Sequence, residues 1–130
     1  MTFESATDYL LSLGNEVSAM KLGLENIQTL LAALGNPQNN YLKVQVAGTN
    51  GKGSVCAFLD SICNTAGIKT CTFTSPHLVS ITERVRIKGA DISEEDFARH
   101  ATTVRETAEQ LLHSRLGAIQ MSTPDMNLMV

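Results

Sequence analysis

Apolar positions along this chain switch between helical and strand-like spacing, and the switches mark out its elements. Phe3, Ala6, Leu10 and Leu13 form one stripe at helical spacing, ended by Gly14. After a polar stretch, Leu24, Ile27, Leu30, Leu31 and Leu34 predict a second helix, stopped by Gly35-Asn36-Pro37 in the glycine-then-proline order of helix ends. Tyr41-Leu42-Lys43-Val44-Gln45-Val46-Ala47 reads as a buried strand. Beyond it Val55, Leu59, Ile62, Cys63 and Ala66 recur as the inward stripe of a third helix, which Gly67 stops. The β-branched run Ile68–Thr74 is expected to lie parallel to the first strand, because a helix joins the two. Glu83–Ile87 and Asp91-Ile92, joined through Lys88-Gly89-Ala90, predict a short hairpin. Ser93 with Asp96 three residues later predicts the N-cap of a last helix. That helix turns Phe97, Ala101, Val104, Ala108 and Leu111 inward and puts Arg99, Arg105 and Glu109 on the surface.

The segment between the first strand and the third helix carries the candidate chemistry. Ala47-Gly48-Thr49-Asn50-Gly51-Lys52-Gly53-Ser54 stands where a phosphate-binding loop belongs, after a strand and before a helix. Its glycines open backbone angles closed to other residues and let an anion approach the main chain. Loop N–H groups and the positive end of the helix dipole would face that anion. Lys52 supplies a mobile charge for terminal phosphates, and Ser54 a hydroxyl suited to Mg²⁺. The spacing departs from the standard Walker A loop: two residues separate Gly48 from Gly51, and Gly53 intervenes before Ser54.

With these flanks, GTNGKGS resembles the loop of the Mur ligase superfamily, in its folate branch, the folylpolyglutamate synthase and dihydrofolate synthase family. Three further segments share the resemblance: Met20–Ile27 with Leu34-Gly35-Asn36-Pro37-Gln38, Thr74-Ser75-Pro76-His77-Leu78, and Glu83-Arg84-Val85-Arg86-Ile87. Together they run from about Phe3 to Phe97 in the family's order. The resemblance implies an α/β fold, a P-loop Mur-ligase-like ATP-binding domain with a parallel sheet that is incomplete in this chain. Residues 1–130 would be the N-terminal part of that central domain, with the C-terminal domain absent. It implies an ATP-dependent ligase that adds glutamate to a folate or dihydropteroate through an acyl phosphate, with L-glutamate as the second substrate and ATP and Mg²⁺ as cofactors. Lys52 would be catalytic; Thr49, Asn50, Gly51, Lys52, Gly53 and Ser54 would bind nucleotide. Ser54 and Ser75 would hold the metal, and Lys21, Leu22, Gly23, Leu24 and His77 the folate substrate. Family members are usually monomeric.

Composition narrows the alternatives. At 130 residues and 43 % hydrophobic the chain is long enough for one domain with a core. A net charge of −3 and a pI near 5.5 argue against a nucleic-acid or anionic-membrane surface. There is no apolar run of membrane length and no signal-peptide pattern, which makes the cytoplasm the expected location. Cys56, Cys63 and Cys71 lack metal-type spacing and read as buried, reduced thiols. Arg84 and Arg86 alternate with Val85 and Ile87, which suits a solvated strand face or a substrate contact equally. His77 reads otherwise as a loop residue bonded to backbone, and His100 and His113 as surface residues. From Gly117 to Val130 the chain ends in apolar sequence, and Ser122-Thr123-Pro124-Asp125 only faintly resembles the family's pterin-site segment. That leaves a folate ligase, a Mur-type peptidoglycan amino-acid ligase, and a non-catalytic nucleotide-binding fragment as readings of the same loop.

Overall fold

A computed structural model describes residues 1–13 and 24–121, the side chains to residue 115. In chain order the elements are α1 (Phe3–Leu13), α2 (Glu25–Ala33), a 3₁₀ turn (Pro37–Asn39), α3 (Lys52–Thr65), β1 (Cys71–Phe73), a second 3₁₀ turn (Ile81–Arg84), β2 (Val85–Ile87), β3 (Ala90–Asp91) and α4 (Glu94–Met121).

The helix stops act as their sequences dictate. At the end of α2 the Gly35 N–H donates to Ala32 O (3.0 Å) and Asn36 N–H to Leu31 O (2.8 Å). At the end of α3 the Gly67 N–H donates to Asn64 O (3.1 Å) and Ile68 N–H to Cys63 O (2.9 Å). Both pairs are Schellman caps, with Gly35 at φ +81° and Gly67 at φ +75°. At the start of α4 Ser93 Oγ accepts the Asp96 N–H (3.1 Å) and donates to the Asp96 carboxylate (3.0 Å). Arg99 first, and then Ser93, hold the Asp96 carboxyl below the usual carboxylate range.

Within the described residues α4 is the spine. α1 packs along it through an edge-to-face pair, Phe3 against Phe97, with ring centroids 5.8 Å apart. Ala6 on α1 has no exposed surface, and Ala98 on α4 is 6 % exposed. Arg105 differs from its expected surface role: it lies 4.9 Å over the Tyr9 ring and bonds Glu109 at 2.7 Å, so its stem packs while its head stays paired. Of the residues expected inward on α4, Phe97, Ala101, Ala108 and Leu111 are half-buried, and Val104 is 41 % exposed. α2 also contacts α4. The helix continues through Gly117, and residues 122–130 lie outside the described residues.

The sheet has the order β1-β2-β3 and is antiparallel throughout, pairing Cys71 with Ile87 and Ile87 with Ala90. A hairpin forms, but its turn is Lys88 (φ +52°) and Gly89 (φ +81°) alone, the paired positive angles of a type I′ turn; Ala90, expected in the link, is in β3, and Glu83 and Arg84, expected in the strand, lie in the 3₁₀ turn before it. The expected parallel partner differs: Tyr41–Ala47 joins no sheet among the described residues, and Leu42 is fully exposed. A buried strand needs a ladder neighbour and covered faces, and among the described residues β1 pairs only with β2.

α3 and β1 meet through their polar faces. β1 and its flanks turn Thr70, Thr72 and Thr74 toward α3, whose facing residues are Cys56, Asp60, Cys63 and Asn64. Of the stripe expected inward, Cys63 faces β1, but Val55, Leu59 and Ile62 face away, 45 %, 39 % and 65 % exposed. Phe73 on the other side of β1 is 72 % exposed. Cys56 and Cys63 are half-buried free thiols; Cys71 is exposed, because the strand alternation that buries the threonines turns it outward.

Candidate functional site

The glycine loop enters α3 through two backbone conformations that L side chains rarely adopt, Gly48 at φ +154° and Gly51 at φ +75°. Gly51 is the N-cap of α3, and the first intrahelical bond runs from Val55 N–H to Gly51 O at 3.0 Å. The N–H groups of Lys52, Gly53 and Ser54 therefore have no acceptor within the helix, and they sit at the positive end of its dipole. Lys52 is the first helical residue, and its ammonium donates to Gly48 O (2.5 Å) and Thr49 O (3.3 Å), so the charge lies folded over the loop. Thr49, Asn50 and Ser54 are exposed around it.

The second candidate loop approaches from the end of β1. Thr74 N–H donates to Arg84 O (2.9 Å), and a cis peptide joins Ser75 to Pro76. A cavity of about 270 Å³ lies between this loop and the first turns of α3. Its walls bring Gly53 of the glycine loop and Ser75 together with Cys56, Asp60 and Arg86. A larger hollow of about 550 Å³ lies between the N-terminus and α4, but none of the candidate residues borders it, and its walls are ordinary side chains of two packed helices.

Around the smaller cavity, Asp60 is 9 % exposed and accepts the Thr70 hydroxyl at 2.5 Å. Arg86 pairs with Asp91 (3.2 Å) and donates to Gly89 O (2.6 Å), so the hairpin holds its guanidinium. His77 bonds a side chain rather than the backbone: Arg84 Nε donates to its Nδ1 at 2.8 Å. Glu83 accepts the N–H groups of Leu78 (2.8 Å), Val79 (2.9 Å) and Ser80 (2.8 Å). Those three donors hold the Glu83 carboxyl below the usual carboxylate range.

Lys21, Leu22 and Gly23 lie outside the described residues; Leu24, at the start of α2, is 70 % exposed. Sequence reasoning missed Glu83 and Asp60. Ser80-Ile81-Thr82-Glu83 is a capping box, and that S-x-x-E spacing was a legible signal. For Asp60 the signal was an acid among apolar positions of a helix.

As donors, the hydroxyls of Ser54 and Ser75 are hard oxygens of the kind Mg²⁺ prefers, and the glycine loop is open to a polyphosphate. Among the described residues no group of three His, Cys, Asp or Glu side chains could hold a metal. Two hydroxyls do not fill a Mg²⁺ shell; phosphate, water and a carboxylate outside the described residues would have to complete it.

No protein-family model matches the chain. Among curated proteins it is 37 % identical over 98 residues to the dihydrofolate synthase/folylpolyglutamate synthase of Bacillus subtilis, covering 75 % of this chain and 23 % of that protein. To the probable dihydrofolate synthetase of Schizosaccharomyces pombe it is 45 % identical over 78 residues, 60 % of this chain and 19 % of the other. The fold is similar to folylpolyglutamate synthetase from Lactobacillus casei, with a TM-score of 0.81 and 28 % identity over 90 % of this chain and 29 % of that one. It is also similar to a solved FPGS–AMPPCP–folate complex, with a TM-score of 0.71 and 28 % identity over 89 % of this chain and 28 % of that one. The chain thus spans less than a quarter of the length of these curated relatives.

Proposed function

We propose, for a chain homologous to the N-terminal part of folylpolyglutamate and dihydrofolate synthases, that it supplies the phosphate-binding half of an ATP-dependent amide ligase. The observation that carries this is that Gly53, of the Gly48–Ser54 loop entering α3, and Ser75, at the end of β1, line one cavity. The reaction moves the γ-phosphoryl group of ATP to a carboxylate of a folate or dihydropteroate, releasing ADP. The amine of L-glutamate then attacks the acyl phosphate, forms the amide and expels phosphate.

This chain's residues would bind and neutralise. The N–H groups of Lys52, Gly53 and Ser54 cradle phosphate oxygens, and Lys52 leaves the Gly48 and Thr49 carbonyls to meet the terminal phosphates. Thr49, Asn50 and Gly51 shape the loop. Ser54 and Ser75 would hold Mg²⁺, which supplies charge neutralisation at the phosphates when bound. Lys21, Leu22, Gly23, Leu24 and His77 are assigned to the folate substrate. The solved complex with AMPPCP and folate supports both ligand classes in a protein of similar fold.

Residues 1–130 form, in this reading, the N-terminal part of the ATP-binding domain. Tyr41–Ala47 is a strand of its parallel sheet, and the outward stripe of α3 meets a further layer. The exposure of both segments supports that placement. No helix among the described residues is long and apolar enough to cross a membrane, and we assign the protein to the cytoplasm, as a monomer without nucleic-acid partners.

The test is ATP-dependent incorporation of labelled L-glutamate into dihydropteroate or a folate by the complete polypeptide that carries this sequence. The expected result is incorporation that Lys52→Ala abolishes. Absence of incorporation with both acceptors, alongside ligation to a nucleotide-sugar acceptor, would overturn the folate reading in favour of a peptidoglycan ligase.

A further inference from the structure

Two consecutive residues tie down the whole of Thr74–Ser80. Arg84 holds the start, its carbonyl accepting the Thr74 N–H at 2.9 Å and its side chain donating to His77 Nδ1 at 2.8 Å. Glu83 holds the end, its two carboxylate oxygens accepting three successive main-chain N–H groups at 2.8–2.9 Å. Apolar packing contributes little, because Leu78 and Val79 at the loop's tip are each 91 % exposed. The path of the loop is therefore set by polar ties, and Ser75 sits between them at the cavity wall.

The geometry points to Glu83 as a positioning residue for Ser75: by gathering the N–H groups of residues 78–80, its carboxylate fixes the loop so that the Ser75 hydroxyl stays on the wall shared with Gly53. This rests on the reading of Ser75 as a Mg²⁺ ligand. An ionised carboxylate suits the task because it only accepts, and charge-assisted bonds are the stronger kind. The isosteric amide of glutamine keeps one accepting oxygen and turns an NH₂ toward a donor, which cannot satisfy three N–H groups. Ser80, the cap of the following 3₁₀ turn, shares the arrangement: its N–H goes to Glu83 and its Oγ accepts from Thr82 N–H at 3.3 Å.

The experiment uses the complete polypeptide and two readouts, amide hydrogen exchange at Leu78, Val79 and Ser80, and calorimetric affinity for AMPPCP across a Mg²⁺ series. Glu83→Gln is expected to speed exchange of the three amides by about tenfold or more and to raise the Mg²⁺ concentration at which AMPPCP binds half-maximally. In a Ser75→Ala background the same substitution is expected to leave the Mg²⁺ dependence where Ser75→Ala alone puts it, since a residue acting through Ser75 has nothing left to position. Faster exchange with a wild-type Mg²⁺ dependence, or fully additive effects in the double variant, overturns the proposal and leaves the Ser75 reading standing. If Ser75→Ala alone fails to move the Mg²⁺ dependence, the metal reading falls and the proposal with it. Should Glu83→Gln lose its cooperative thermal transition, Glu83→Asp, which keeps the charge and shortens the reach, is read by the same criteria.

Discussion

Replacing Lys52 with alanine separates a binding role from a structural one, because the structure makes the two costs very different. The ammonium is exposed and, among the described residues, bonds only to Gly48 O and Thr49 O, carbonyls on an open loop that take water when it leaves. The expected change in stability is within about 0.5 kcal/mol, as for surface substitutions away from special features, or roughly 2 °C in melting temperature. Against phosphate the same charge is worth far more: at about 4 Å and an effective dielectric constant near 20, one unit pair interacts by about 4 kcal/mol. Only the part that grows as the phosphoryl group transfers raises the rate. That places the loss in the range seen for removing one oriented donor, roughly 10²–10³ in turnover. Steady-state ATP consumption by the complete polypeptide, beside a thermal melt, gives both numbers. Lys43→Ala is the control: its ammonium lies 5.4 Å from the Tyr41 ring centroid, outside the loop, and its removal is expected to leave turnover unchanged. Turnover within threefold of wild type in Lys52→Ala would reject the phosphate role. A drop of many degrees in its melt would show the lysine to be part of the scaffold instead.

The other expectations are narrower. Ser54→Ala and Ser75→Ala each raise the Mg²⁺ concentration needed for half-maximal activity, and a titration that stays put for both rejects the ligand assignment. Gly67→Ala, forced to φ +75° at the α3 cap, lowers stability by about 1 kcal/mol in a denaturant melt; a neutral result would mean the cap has shifted. In the hairpin, Lys88→Asn raises the melting temperature, because asparagine accepts the left-handed angle that lysine resists, and an unchanged melt counts against the type I′ turn. With Glu83 held below the usual carboxylate range by its three N–H donors, the ordering it gives is complete above the ordinary glutamate value and is lost as pH falls through the lowered one. The amide resonances of Leu78, Val79 and Ser80 should therefore titrate below the ordinary glutamate value; a midpoint at or above it refutes the contact.

What the sequence revealed were features whose cause is local. Gly35 and Gly67 each depend on one backbone angle, and a few neighbouring residues suffice to predict it; for the Lys88-Gly89 turn they located the reversal but not its length. The start of α3 at the glycine loop is of the same kind. Burial was harder, because an apolar stripe shows that a face can be covered without showing by what. Val55, Leu59 and Ile62 read as inward, yet β1 offers α3 a row of threonines and takes its polar face instead. Tyr41–Ala47 has strand composition but no ladder among the described residues. Side-chain ties across a loop were least legible: the S-x-x-E spacing announces the bond between Glu83 and Ser80, but the grip on Leu78 and Val79 depends on a loop path that spacing does not specify.

The outward faces of α3 and β1 also bear on the life of this polypeptide in a cell. Phe58, Ile62 and Phe73, each 65 % or more exposed, together with fully exposed Leu42, are the sort of surface that chaperones hold and proteases survey. Until that surface is covered, the chain is open to both. Its abundance then depends on how quickly its apolar face is sheltered, and a substitution there could change protein levels many residues away from any bound nucleotide.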